Sequence, residues 1–141
     1  MTTQTATLDT WHRLVRSGDT AGLYDLIAED AVFHSPVVHT PQRGRKLTHM
    51  YLAAAFKVFF NDTFRYVREV VSGRHAVLEF ETTIEGIVVN GVDMITWNDD
   101  GRIVEFKVMI RPLKAIQLIH QKMAQMLLEA GAAKGQPGSA G

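Results

Sequence analysis

Asp93 is a carboxylate set among apolar residues, in the run Gly91-Val92-Asp93-Met94-Ile95-Thr96-Trp97. Strand alternation puts Asp93, Ile95 and Trp97 on one side and Val92, Met94 and Thr96 on the other. If the Asp93 side faces a cavity, desolvation raises the acid's pKa and keeps it protonated, able to donate a hydrogen bond to a ligand oxygen. Two other roles suit the same residue: capping a turn after Asn90-Gly91, or pairing with a buried basic group. Ser35 follows His34, which suggests a nucleophile and its base, but strand neighbours point to opposite faces and direct activation is poor geometry. His39 falls in the loop after that strand, a place from which it can line the mouth of a pocket. The six histidines, at 12, 34, 39, 49, 75 and 120, show none of the helical pairs or His-Glu signatures of metal sites. No metal or cofactor is expected.

The elements that must position these groups are legible as helices first and a meander second. Leu8, Trp11, Leu14 and Val15 follow helical spacing up to Ser17-Gly18-Asp19, where glycine ends one helix and Asp19 or Thr20 caps the next. Leu23, Leu26 and Ile27 continue on that second helix. A short strand, Ala31 to Ser35, is ended by Pro36 and a loop running through Pro41 to Gly44. Leu47, Tyr51, Leu52, Ala55, Phe56 and Phe59 then mark a third helix with a broad, aromatic-rich apolar stripe.

From Phe64 the pattern predicts four strands: Phe64 to Val71, His75 to Glu85, Ile87 to Trp97 and Arg102 to Arg111. Ser72-Gly73, Gly86 and Asp99-Asp100-Gly101 punctuate them as turns. In the second strand of this set Leu78, Phe80, Thr82 and Ile84 alternate with Val77, Glu79, Glu81, Thr83 and Glu85. In the last, Val104, Phe106, Val108 and Ile110 alternate with Ile103, Glu105, Lys107, Met109 and Arg111. Each strand thus has one face fit for a core or pocket wall. Leu113 to Leu128 is a final helix, with Ile116, Ile119, Met123 and Met126 along one stripe, and the small, polar residues from Gly131 onward are expected to be disordered.

A chain of 141 residues suits one domain, read as 1–130 with a tail at 131–141. Fifteen basic residues balance fifteen acidic ones, which gives no electrostatic footprint for nucleic acid or an anionic membrane. Zero cysteines exclude a disulfide scaffold and thiolate metal sites. Without the basic-then-apolar start of a signal peptide or a membrane-length segment, the expected setting is soluble and cytoplasmic.

The order of these features carries a resemblance. A helix pair with Gly-Asp between, Ala-Val-Phe-His-Ser-Pro-Val, a Gly before the third helix, Asp in Gly-Val-Asp-Met-Ile-Thr-Trp, and the turn-strand Asp-Gly-Arg-Ile-Val-Glu-Phe are similar to the NTF2-like superfamily. SnoaL-like and ketosteroid-isomerase-like members are the nearest in look, over roughly Leu8 to Pro112. The resemblance implies an α+β cone: a strongly curved mixed β-sheet packed on the N-terminal helices, with an additional C-terminal helix here. It also implies a pocket at the open end and pairing of two copies through the outer sheet face, where Glu79, Glu81, Lys107 and Met109 fall.

The isomerases of this superfamily use a helix tyrosine, an aspartate base after the first strand, and a protonated aspartate on a late strand. Carried over by motif, these positions fall on Trp11, Ser35 and Asp93, and the tyrosine that supports the oxyanion site falls on Leu52. A serine without a partner base cannot shuttle a carbon-bound proton as a carboxylate does, which argues against steroid-type isomerisation. The expected protein therefore holds a small, largely hydrophobic ligand bearing a carbonyl or hydroxyl. Asp93 serves as acid or oxyanion donor and Ser35 or His39 orients the ligand. The walls are assigned to Trp11, Phe33, Tyr51, Leu52, Phe56, Phe59, Phe80, Ile95, Trp97, Phe106, Val108 and Ile110. Isomerase or cyclase chemistry, ligand binding without turnover, and a dimeric interaction scaffold all remain open at this level.

Overall fold

Helical and strand patterning resolve into the chain order α1 (Thr2–Ser17), α2 (Thr20–Leu26), β1 (Ile27–His34), β2 (Gln42–Arg43), α3 (Arg45–Phe59), β3 (Arg65–Ser72), β4 (His75–Ile84), β5 (Ile87–Trp97), β6 (Ile103–Arg111) and α4 (Leu113–Ala132). The computed structural model describes residues 2–132, with side chains from 6 to 130. Positions 133–141, the greater part of the expected tail, lie outside the described residues.

The six strands form one curved, unclosed sheet in the order β2-β1-β6-β5-β4-β3. β1 runs parallel to β6 and every other pairing is antiparallel, so the sheet is mixed as expected. Its concave face buries Leu78, Phe80, Val89, Ile95, Trp97 and Phe106 against Leu8, Trp11 and Leu14 of α1, with Leu52, Phe56 and Phe59 of α3 in the same core. α4 lies against α3, β5 and β6. It buries Ala115, Leu118, Ile119 and Met123, and its Lys122 is paired with Glu85 of the β4–β5 turn.

Local chemistry explains the breaks. Asp19 caps α2 by accepting the Gly22 N–H at 2.8 Å. The second helix is shorter than expected, because Ile27 takes an extended backbone (φ −98°, ψ 130°) and opens β1 by pairing with Ile103. A β-branched residue suits that conformation better than a helix end. The loop before α3 also forms a two-residue strand that periodicity could not show, with Gln42 and Arg43 pairing Phe33 and Val32.

Two bulges re-aim the sheet. On β3 the register passes from Tyr66↔Phe80 to Arg68↔Glu79, leaving Val67 as the extra residue. On β6 it passes from Ile103↔Trp97 to Glu105↔Thr96, leaving Val104 extra. Ile103, which strict alternation places outside, is thereby turned inward and is fully buried. Close approach is needed at Gly91: an added Cβ would stand 2.6 Å from the Phe80 ring and 2.6 Å from the Met109 carbonyl oxygen.

Candidate functional site

Asp93 sits mid-strand on β5, opposite Leu78 of β4 and Val108 of β6, and is 7 % exposed. Its position excludes a turn cap, and its partner is neutral, not basic. The Tyr66 hydroxyl donates to Asp93 Oδ2 at 2.7 Å, while Trp11 Nε1–H donates to the Tyr66 oxygen at 3.0 Å. Burial pushes the Asp93 carboxyl up to about 7, with the Tyr66 hydrogen bond pulling the other way. Tyr66 is raised well above the ordinary phenol value, chiefly by burial and then by the Asp93 charge. Near neutrality the carboxyl therefore exchanges one proton while the phenol keeps its own.

Tyr66 connects this buried chain to the outside. It lines a cleft of about 710 Å³ between the end of α1, the end of α3 and the start of β3. Phe56, Phe60, Phe64 and Tyr66 supply an aromatic wall, and Arg16, Lys57, Asp62 and Arg65 stand among the charged lining residues. The wall is continuous: ring centroids lie 4.7 Å apart for Phe56 and Phe60, 4.5 Å for Phe60 and Phe64, and 5.1 Å for Phe64 and Tyr66. His12 also lines the cleft. Its Nε2 lies 2.8 Å from Glu69 Oε1, and its ring meets Tyr66 edge to face with centroids 5.4 Å apart.

The residues assigned from sequence divide sharply. Trp11 is part of the buried chain and Phe56 lines the cleft. Phe33, Leu52, Phe59, Phe80, Ile95, Trp97, Phe106 and Val108 are buried in the core. Tyr51 and Ile110 are half-buried and pack on that core. Within that core Trp11 lies 5.6 Å from Phe56 and 5.0 Å from Phe106, ring to ring. Asp93 meets the cleft through Tyr66 rather than directly. The Ser35 hydroxyl accepts the Val37 and Val38 N–H groups at 3.1 and 3.3 Å, and His39 is exposed in the same loop. Neither is among the cleft-lining residues.

Sequence reasoning passed over Tyr66, His12 and Glu69. Tyr66 had a readable signal, as the one polar aromatic in its predicted strand. Glu69 had none, because strict alternation puts it on the opposite face from Tyr66 and the Val67 bulge restores it to the same one. Among the described residues, no group of three His, Cys, Asp or Glu side chains is placed to hold a metal ion. No helix among them is long and apolar enough to cross a membrane.

Fold and sequence together define the class. The SnoaL-like domain family matches residues 8–106, and the chain belongs to that family. It is similar to a steroid delta-isomerase from Pseudomonas aeruginosa, with 39% identity over 94% of this chain and 96% of that one and a TM-score of 0.87. An uncharacterized bacterial protein with a cystatin-like fold, from Silicibacter pomeroyi DSS-3, is 32% identical over 83% of this chain and 82% of that one, with a TM-score of 0.76. The epoxide hydrolase/cyclase-like enzyme SalBIII, which takes part in pyran ring formation in salinomycin, shares the fold: 18% identity, 78% and 92% coverage, TM-score 0.62. No curated protein sequence matches the chain. The fold is thus the NTF2-like cone, and a steroid delta-isomerase is among the proteins this chain is similar to.

Proposed function

We propose that the cleft takes a small, largely apolar molecule bearing a carbonyl or hydroxyl, and that the Tyr66 hydroxyl engages that oxygen with Asp93 as the proton store behind it. The observation that carries this reading is the chain Trp11–Tyr66–Asp93 ending on a cleft wall. When Asp93, whose pKa is about 7, is protonated, it can donate to the Tyr66 oxygen, which frees the phenol's one proton for a ligand oxygen. That is acid assistance of the isomerase or cyclase kind. The similar protein from Pseudomonas aeruginosa is a steroid delta-isomerase, while the base position that the resemblance implies, Ser35, is occupied by turn hydrogen bonds.

Binding of 2-tetralone, an apolar bicyclic ketone, tests the reading by calorimetry. Tyr66→Phe removes the hydroxyl and keeps the ring, and the expected loss is roughly 3- to 10-fold in affinity, the worth of one neutral hydrogen bond. Equal affinity in both proteins sinks the assignment of Tyr66 as the anchor. Binding without turnover would make the same cleft a carrier site.

The assembly proposal rests on a different surface. Val70 faces Val77, and Val77 faces Met94, across the convex side, and these three residues and Met109 are all substantially exposed. A second copy of the chain is the proposed cover for this face, with Lys107 and Glu79 on its charged part.

A further inference from the structure

We infer that His12 is the proton acceptor of the cleft, held in position by Glu69, so that the site performs proton transfer at a carbon next to a carbonyl. The inference rests on the proposal that Tyr66 engages the carbonyl oxygen. A carboxylate oxygen only accepts hydrogen bonds, so the 2.8 Å contact fixes His12 Nε2 as the nitrogen that carries a proton. In the neutral ring Nδ1 then holds the lone pair. Among the described residues no hydrogen-bond partner stands at Nδ1.

Placement supports the role. His12 follows Trp11 on α1, so adjacent helix residues feed both halves of the site: Trp11 braces the Tyr66 oxygen and His12 packs on the Tyr66 ring. The Val67 bulge brings Glu69 to the same face of β3 as Tyr66. The His12 and Glu69 side chains are 24 % and 41 % exposed, an exposure at which such a contact adds little to stability. A molecule seated against the ring pair reaches an acid-backed phenol and an imidazole together.

The step balances without any co-reactant. The Cα–H bond breaks and its proton goes to His12 Nδ1. The electron pair moves through the carbonyl carbon to the oxygen, where the Tyr66 O–H stabilises the enolate. The imidazolium then returns a proton to carbon, at the same atom for exchange or at a conjugated one for isomerisation. His12 is the catalytic residue of this scheme and Glu69 a positioning residue.

Proton NMR of 2-tetralone in D2O reads the step directly, as loss of the C1 methylene signal. Wild-type protein should accelerate exchange over buffer, and His12→Gln should lower the rate at saturation by about 100-fold or more. Glu69→Gln should lower that rate while leaving KM in place, a split that general loosening of the edge strand would not give. It also keeps the test decisive if His12→Gln fails to fold. Wild-type binding with exchange no faster than buffer, or a His12→Gln rate equal to wild type, overturns the role of His12 and leaves the Tyr66 anchor standing. Absence of wild-type binding overturns the anchor reading and this one with it.

Discussion

Replacing Asp93 by asparagine isolates one titration in the folding equilibrium. Burial pushes the Asp93 carboxyl up to about 7 in the folded protein, against an ordinary value of 3.8. The folded state therefore holds this proton more tightly than the unfolded chain does. Stability from this group is complete below the unfolded pKa, falls by about 1.4 kcal/mol per pH unit between about 4 and 7, and levels off above 7. The total is on the order of 4 kcal/mol, and burial at 7 % exposure leaves little solvent screening to reduce it. Asparagine accepts the Tyr66 hydrogen bond and does not titrate. Urea unfolding of both proteins at half-unit steps from pH 4.5 to 8.5, followed by far-UV circular dichroism, gives the difference curve, and titrations common to both cancel. Asp93→Asn should gain on wild type steadily up to about pH 7 and then hold its lead. Parallel curves across that window would refute the account of Asp93 as a buried, largely protonated acid.

Gly91→Ala should destabilise the fold by about 1–3 kcal/mol, since its Cβ would meet the Phe80 ring and the Met109 carbonyl at 2.6 Å; a melting temperature equal to wild type counts against that packing. Met109→Glu, on the exposed convex face, should convert a dimer to monomer in light scattering at tens of micromolar, and a wild type that is already monomeric there refutes the assembly proposal.

The strands from His75 onward, and the faces of β4 and β5, were legible because each alternates for ten residues or so with one side buried in the core. Asp93 stood out for the same reason, as a carboxylate on the oily side. What sequence could not supply was register. The Val67 and Val104 bulges each insert one residue, and a one-residue slip exchanges the two faces of a strand. Ile103 and Glu69 were lost to that slip. Tyr66 was missed for a different cause: its partners Trp11 and Asp93 lie 55 and 27 positions away, and only the curvature of the sheet brings them to one hydroxyl. Most of the aromatics assigned as pocket walls are buried in the hydrophobic core, and composition alone does not tell a core position from a wall position.

β3 closes the sheet at one edge, and apart from Tyr66 its residues are exposed. An edge strand with so few buried contacts opens at a lower free energy than the sheet as a whole. When it frays it carries off Tyr66 and Glu69 in one event, leaving Asp93 and Trp11 behind in the core. The lifetime of the assembled site is therefore set by local opening of this edge, on a clock separate from global unfolding. A ligand that grips Tyr66 and His12 together would slow that clock, and the β3 amides would register it as protection from hydrogen exchange before any change in melting temperature.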